Sequence, residues 1–134
     1  MREIKKNGAV LARHITQADI KTGPELFFPR MKSSFRWVFG VTTKKREELK
    51  AHIHNTVERT VNRTYETLYV IKGALEAVIY DMDETPVETL QVRQGEILVL
   101  LESGHGYFIK EDDTTVLEVK NGPYLGAEID RRRI

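Results

Sequence analysis

Short strand-like runs separated by turn signals dominate the chain from residue 64 to residue 120, and this punctuation limits the folds it can adopt. Runs such as TYETLYVI, ALEAVIYD and TVLEVK are rich in β-branched and aromatic residues, and turn residues interrupt them about every 8–12 positions. No helical periodicity is sustained over a full window. The pattern predicts an all-β fold of antiparallel strands.

The first third of the chain continues this pattern less regularly. GAVLARHI and SSFRWVFGV are predicted strands, and KTGPELFFPRMK is predicted to be a loop between them. The mostly charged segment TKKREELKA, residues 43–51, is the helix candidate. With no internal repeat, we expect one domain over 1–134, comprising N-terminal strands in 1–49, the main motifs in about 50–121 and a tail in 122–134.

Composition excludes several classes of function. The chain has no cysteine, which rules out disulfides and thiolate metal sites. Its 21 basic and 20 acidic residues nearly balance, so no nucleic acid or membrane partner is expected, and Arg131, Arg132 and Arg133 are interpreted as solvated. No apolar stretch approaches the length of a membrane span, and we expect a soluble cytoplasmic protein.

Histidines offer the best indication of chemistry. His52 and His54 would share one face of an extended segment and could present two imidazoles to one metal ion, although a solvated pair has the same spacing. Glu66 and His105 add a carboxylate and a third imidazole, which together suit a divalent transition metal. His14, in an early strand, is expected to be structural.

These residues resemble the two motifs of the cupin superfamily. His52, His54, Glu66 and Gly73 follow the order of the first motif, with an eleven-residue spacer before the glutamate. Glu58 lies at the shorter, more usual spacing and is a rival for the carboxylate position.

The second motif is matched in part. Gly95 and His105 occupy its glycine and histidine positions, whereas Leu101 and Ser103 replace its usual proline and glycine. The segment from SGHGYFIK to VKNGPY is similar to the tail of small single-domain bacterial cupins, some of which accompany genes of surface-sugar biosynthesis.

The resemblance implies a jelly-roll-like barrel, the double-stranded β-helix, around a metal ion. The implied ligands are His52, His54, Glu66 and His105, and the ion would be iron, zinc, manganese, nickel or copper. The implied function is an isomerase, lyase or oxygenase acting on a small polar or sugar-derived molecule. A non-catalytic ligand-binding module and a metal-free sugar epimerase or isomerase remain as alternatives.

Three further residues are candidates for proton transfer near such a site. Glu118 and Lys120 share a strand face, where Glu118 could accept a proton and Lys120 could bind an oxyanion, although an exposed ion pair has the same pattern. Tyr107 lies beside the Gly-His-Gly turn. A homodimer is expected because the apolar strand SSFRWVFGV could pair with a second copy.

Overall fold

The computed structural model describes residues 1–19, 23–26, 38–42, 50–58, 60–121 and 125–134. The chain divides into two compact units: unit 1 comprises Met1–Gln17 and Arg63–Ile134, and unit 2 comprises Ala18–Asn62. The prediction of one domain stays a prediction. The candidate helix at 43–51 lies outside the described residues except for Lys50 and Ala51, which are not helical.

Strands form most of the regular structure, joined by a 3-10 turn at Gln17–Asp19 and one short helix. In the described part of the chain, no helix is long and apolar enough to cross a membrane. The strands are β1 Arg2–Lys6, β2 Ala9–Ile15, β3 Gly23–Leu26, β4 Val38–Thr42, β5 Glu66–Lys72, β6 Ala74–Tyr80, β7 Pro86–Arg93, β8 Ile97–Leu100, β9 Gly104–Ile109 and β10 Thr115–Lys120, and the helix is α1 Ala127–Asp130.

Unit 1 is built from two antiparallel sheets. The large sheet has the order β1-β2-β8-β5-β10, and the small sheet has the order β7-β6-β9. The chain crosses between the sheets after β5, after β7, after β8 and after β9. The all-β prediction is therefore confirmed. Among the described strands the two sheets do not join into a closed barrel, and the cupin barrel stays a prediction.

The hydrophobic core of unit 1 lies between the two sheets. Strand β5 shows the alternation that builds it, because Leu68 and Val70 are buried whereas Tyr69 and Ile71 are largely exposed. Both sheets contribute to the same core cluster: Ile4, Leu11, Ala12, Leu68, Val70, Leu75, Ala77, Ile79, Leu90, Val92, Leu98 and Leu100. Burial of this apolar surface is the main stabilising term for unit 1.

Gly73 forms the tight turn between β5 and β6. Its φ of 78° lies in the left-handed region that favours glycine. A Cβ at this position would also collide with the side chain of Thr114. The turn therefore requires glycine both for its backbone conformation and for the close approach of the chain before β10.

The sequence analysis was wrong at two places in the N-terminal part. Strand β3 lies within the predicted loop KTGPELFFPRMK and pairs with β4, with a register shift after Pro24. Strand β1 was not predicted, because four of its five residues are charged and Ile4 supplies its one buried side chain. Pairing with β2 decides its conformation, and a single charged segment does not reveal that pairing.

Candidate functional site

A carboxylate lies on the inner face of the large sheet, at the beginning of β5. Glu66 is in register with Leu100 of β8 on one side and with Lys120 of β10 on the other. Directly paired residues share a face, and the period of two places Glu66 on the same face as the core residue Leu68. The side chain of Glu66 is consequently only 10% exposed.

Two cationic or polar partners approach the Glu66 carboxylate. Lys120 Nζ lies 2.9 Å from Oε1, and His105 Nε2 lies 3.1 Å from Oε2. The same ammonium lies 2.9 Å from Glu118 Oε1, so Lys120 joins two carboxylates from neighbouring strands. The contact with His105 is an ion-pair distance without an aligned hydrogen bond, since Oε2 has no hydrogen-bond donor among the described residues.

The small sheet supplies an imidazole and a phenol from β9. His105 and Tyr107 are in register with the buried residues Ile79 and Ala77 of β6, so their side chains also face the core. Their rings are stacked, with centroids 5.2 Å apart and an interplanar angle of 26°. The inner faces of the two sheets thus bring together what we call the polar cluster: Glu66, His105, Tyr107, Glu118 and Lys120.

Several buried polar atoms in and beside this cluster have no hydrogen-bond partner within the described part of the chain. They are Glu66 Oε2, His105 Nδ1, Tyr107 Oη and Ser103 Oγ. A buried polar atom without a partner costs about 1–3 kcal/mol, so native proteins rarely place several in one region without a reason. The sequence analysis missed Ser103 as a functional candidate, although it lies two residues before His105.

Electrostatics fix the charges of the cluster. Burial alone would raise the pKa of Glu66, but the contacts with His105 and Lys120 outweigh it and hold that pKa below its usual range. Burial lowers and the two carboxylates raise the pKa of Lys120, with a net increase. Burial, reinforced by the charges of Glu66 and Glu118, raises the pKa of Tyr107 far above its usual value, so this phenol stays protonated at neutral pH.

The other two predicted metal ligands lie in unit 2. His52 and His54 are exposed, and their rings meet edge to face with centroids 4.9 Å apart. His52 Nδ1 lies 3.2 Å from the backbone oxygen of Lys50. Glu58, the rival carboxylate, is exposed in the same unit. The four-residue ligand set stays a prediction.

The contacts of Glu66 do not fit a metal ion on this carboxylate. Lys120 engages one oxygen, His105 approaches the other, and the ammonium places a positive charge where a second cation would be repelled. Within the described ranges, no group of three or more histidine, aspartate or glutamate side chains could hold a metal ion. We therefore derive no chemical step through a metal at Glu66.

His14 and Arg132, outside the cluster, have structural contacts. His14 Nε2 lies 2.8 Å from Glu96 Oε2, and that oxygen also accepts a hydrogen bond from the backbone N–H of Arg93. Arg132 binds the backbone oxygen of Met82 and the carboxylate of Glu84. Arg132 is thus anchored to the turn after β6 instead of being only solvated.

No family model, curated protein or solved structure matches this chain. The argument for function therefore rests on the residues and their geometry.

Proposed function

We propose that the polar cluster binds a small polar molecule carrying hydroxyl or carbonyl groups and transfers a proton on it, as in an isomerase, epimerase or lyase. The observation that carries the proposal is His105. One of its ring nitrogens faces the Glu66 carboxylate, and the other is buried without a partner among the described residues. An imidazole oriented by a carboxylate is a common arrangement for a general base.

Each residue has a distinct task in this proposal. His105 Nδ1 receives the proton of the bound molecule, and Glu66 stabilises the resulting imidazolium through Nε2. Tyr107, which stacks on the same imidazole and remains protonated, donates a hydrogen bond to the oxygen on which negative charge develops. Ser103 supplies a further buried hydroxyl for binding.

The resemblance to cupins and the arrangement of the strands support the same interpretation. Successive strands alternate between two facing sheets, an arrangement compatible with a jelly-roll, and the cluster lies between those sheets. We propose a cupin-like unit that follows the metal-free alternative. The homodimer, the cytoplasmic location and a role in surface-sugar biosynthesis stay predictions.

Solvent deuterium exchange tests the proposal. Free and nucleotide-linked sugars and short hydroxyketones would be incubated with the full chain in D2O, and the loss of each C–H signal next to a carbonyl would be followed by proton NMR. We expect exchange with at least one compound, slowed about 10²-fold or more by His105→Gln and by Tyr107→Phe. His14→Gln is the matched control and should leave the rate unchanged, because His14 pairs with Glu96 and contacts no member of the cluster.

Two results would contradict this proposal. Exchange that persists in His105→Gln would remove the base from its role. Tight binding of a compound without exchange would favour the non-catalytic binding module, because the same unpartnered atoms can bind a ligand without moving its proton.

A further inference from the structure

One ammonium joins the two carboxylates of the polar cluster. Lys120 Nζ lies 2.9 Å from an oxygen of Glu66 and 2.9 Å from an oxygen of Glu118. The side chains of Lys120 and Glu118 are each 39% exposed, whereas that of Glu66 is 10% exposed. The ion pair therefore extends from the accessible edge strand β10 to the buried beginning of β5.

These acidic groups would otherwise be suitable donors for a divalent ion. Two carboxylates from adjacent strands, faced by the imidazole of His105, are oxygen and nitrogen donors of the kind that transition metals take. An ammonium already bonded to both carboxylates neutralises one of their charges and repels a second cation at short range. The sequence predicts a metal on Glu66, and the contacts of Lys120 disagree with that prediction.

We propose that the Lys120 ammonium is the resident cation of the polar cluster and takes the position that the sequence assigns to a metal ion. It holds Glu66 and Glu118 in place with two of its three N–H groups. The third N–H group is directed to an oxygen of the bound molecule, beside the hydrogen bond from Tyr107. This inference deepens the proposed function and relies on it for the class of ligand, a carbonyl compound whose oxygen becomes negative during proton transfer.

Metal affinity tests the inference without knowledge of the ligand. Zn²⁺ and Mn²⁺ would be titrated calorimetrically into the EDTA-treated full chain and into Lys120→Met. We expect the affinity to rise at least roughly tenfold in Lys120→Met, because a repelling charge is lost and two carboxylates are released. Adding Glu66→Gln to that variant should abolish the gain.

Matched variants control for charge and folding. Lys120→Arg keeps the cation and should behave as wild type. Lys72→Met removes a lysine from an exposed pair with Asp113, 3.3 Å apart, at the other end of β5 and should not change metal affinity. An unchanged affinity in folded Lys120→Met would overturn the inference.

A measurement on the wild-type protein serves if the Lys120 variants do not fold. In ¹⁵N-lysine-labelled protein, Zn²⁺ titration should leave the ammonium signal of Lys120 unchanged, and its displacement by one equivalent of Zn²⁺ would overturn the inference. The two proposals fail separately. A gain of metal affinity without any deuterium exchange supports the role of Lys120 and contradicts the proposed function, whereas exchange without that gain does the reverse.

Discussion

Removal of Lys120 should leave the Glu66 carboxylate charged and poorly solvated, and its cost can be worked out from the structure. Breaking a buried ion pair by removing one partner costs about 3–5 kcal/mol. The Glu66 side chain is 10% exposed, but that of Lys120 is 39% exposed, so water screens part of the interaction. We therefore expect Lys120→Met to lower the free energy of unfolding by about 1–3 kcal/mol at neutral pH.

The pairwise part of this effect can be isolated by a double-mutant cycle. Adding Glu66→Gln to Lys120→Met removes the unpaired charge, so the two changes together should cost less than their sum by about 1–2 kcal/mol. Urea unfolding measures each free energy, provided that the m values agree among the four proteins. The exposed pair of Lys72 and Asp113 is the control, with an expected coupling below about 0.5 kcal/mol.

The coupling should depend on pH in a defined direction. The pKa of Glu66 is lowered in the folded protein, so its stabilisation is complete above the unfolded value of about 4.3 and is lost as pH falls through the folded value. The cycle should give its full coupling at pH 6 and little at pH 2.5. Additive changes at pH 6, or a coupling that persists in acid, would refute the assignment of this ion pair.

Three further predictions concern the core, a turn and the phenol. Leu98→Ala should cost about 2–5 kcal/mol of unfolding free energy because Leu98 is fully buried, whereas Leu117→Ala should cost less than about 0.5 kcal/mol; chemical denaturation measures both. Gly73→Ala should lower the melting temperature clearly more than Gly106→Ala, because only Gly73 combines a positive φ with a clash for the added Cβ. Ultraviolet titration to pH 11 should find the same number of ionising phenols in wild type and in Tyr107→Phe, since burial raises the pKa of Tyr107 beyond that range; one fewer in the variant would contradict this.

Local pattern was sufficient to predict most of the strands. TVLEVK was expected as a strand and forms β10 at the same residues, because alternating side chains lie between an acidic turn and a glycine. The same alternation placed Glu118 and Lys120 on one face, and they are indeed paired. Strand β3 could not be predicted in this way, since Pro24 and the neighbouring glycine resemble a loop until pairing with β4 is known.

The polar cluster depends on pairings that a single sequence does not reveal. Glu66 and His105 were singled out as metal ligands from their spacing, but only the register between β5 and β10 brings Lys120 onto the same carboxylate. The partner of Glu66 is thus 54 positions away along the chain, the difference between residue numbers 120 and 66. A ligand prediction made from short motifs cannot include a competing cation that arrives through a distant strand pairing.

The state of the His105 imidazole tests the central claim most directly. A long-range ¹H–¹⁵N spectrum of ¹⁵N-histidine-labelled protein at alkaline pH reports which ring nitrogen carries the proton, and His105→Gln assigns the signals. The account predicts a proton on Nε2, facing Glu66, and an unprotonated Nδ1 available to a ligand. A proton on Nδ1 instead would leave no base directed into the site and would contradict the account.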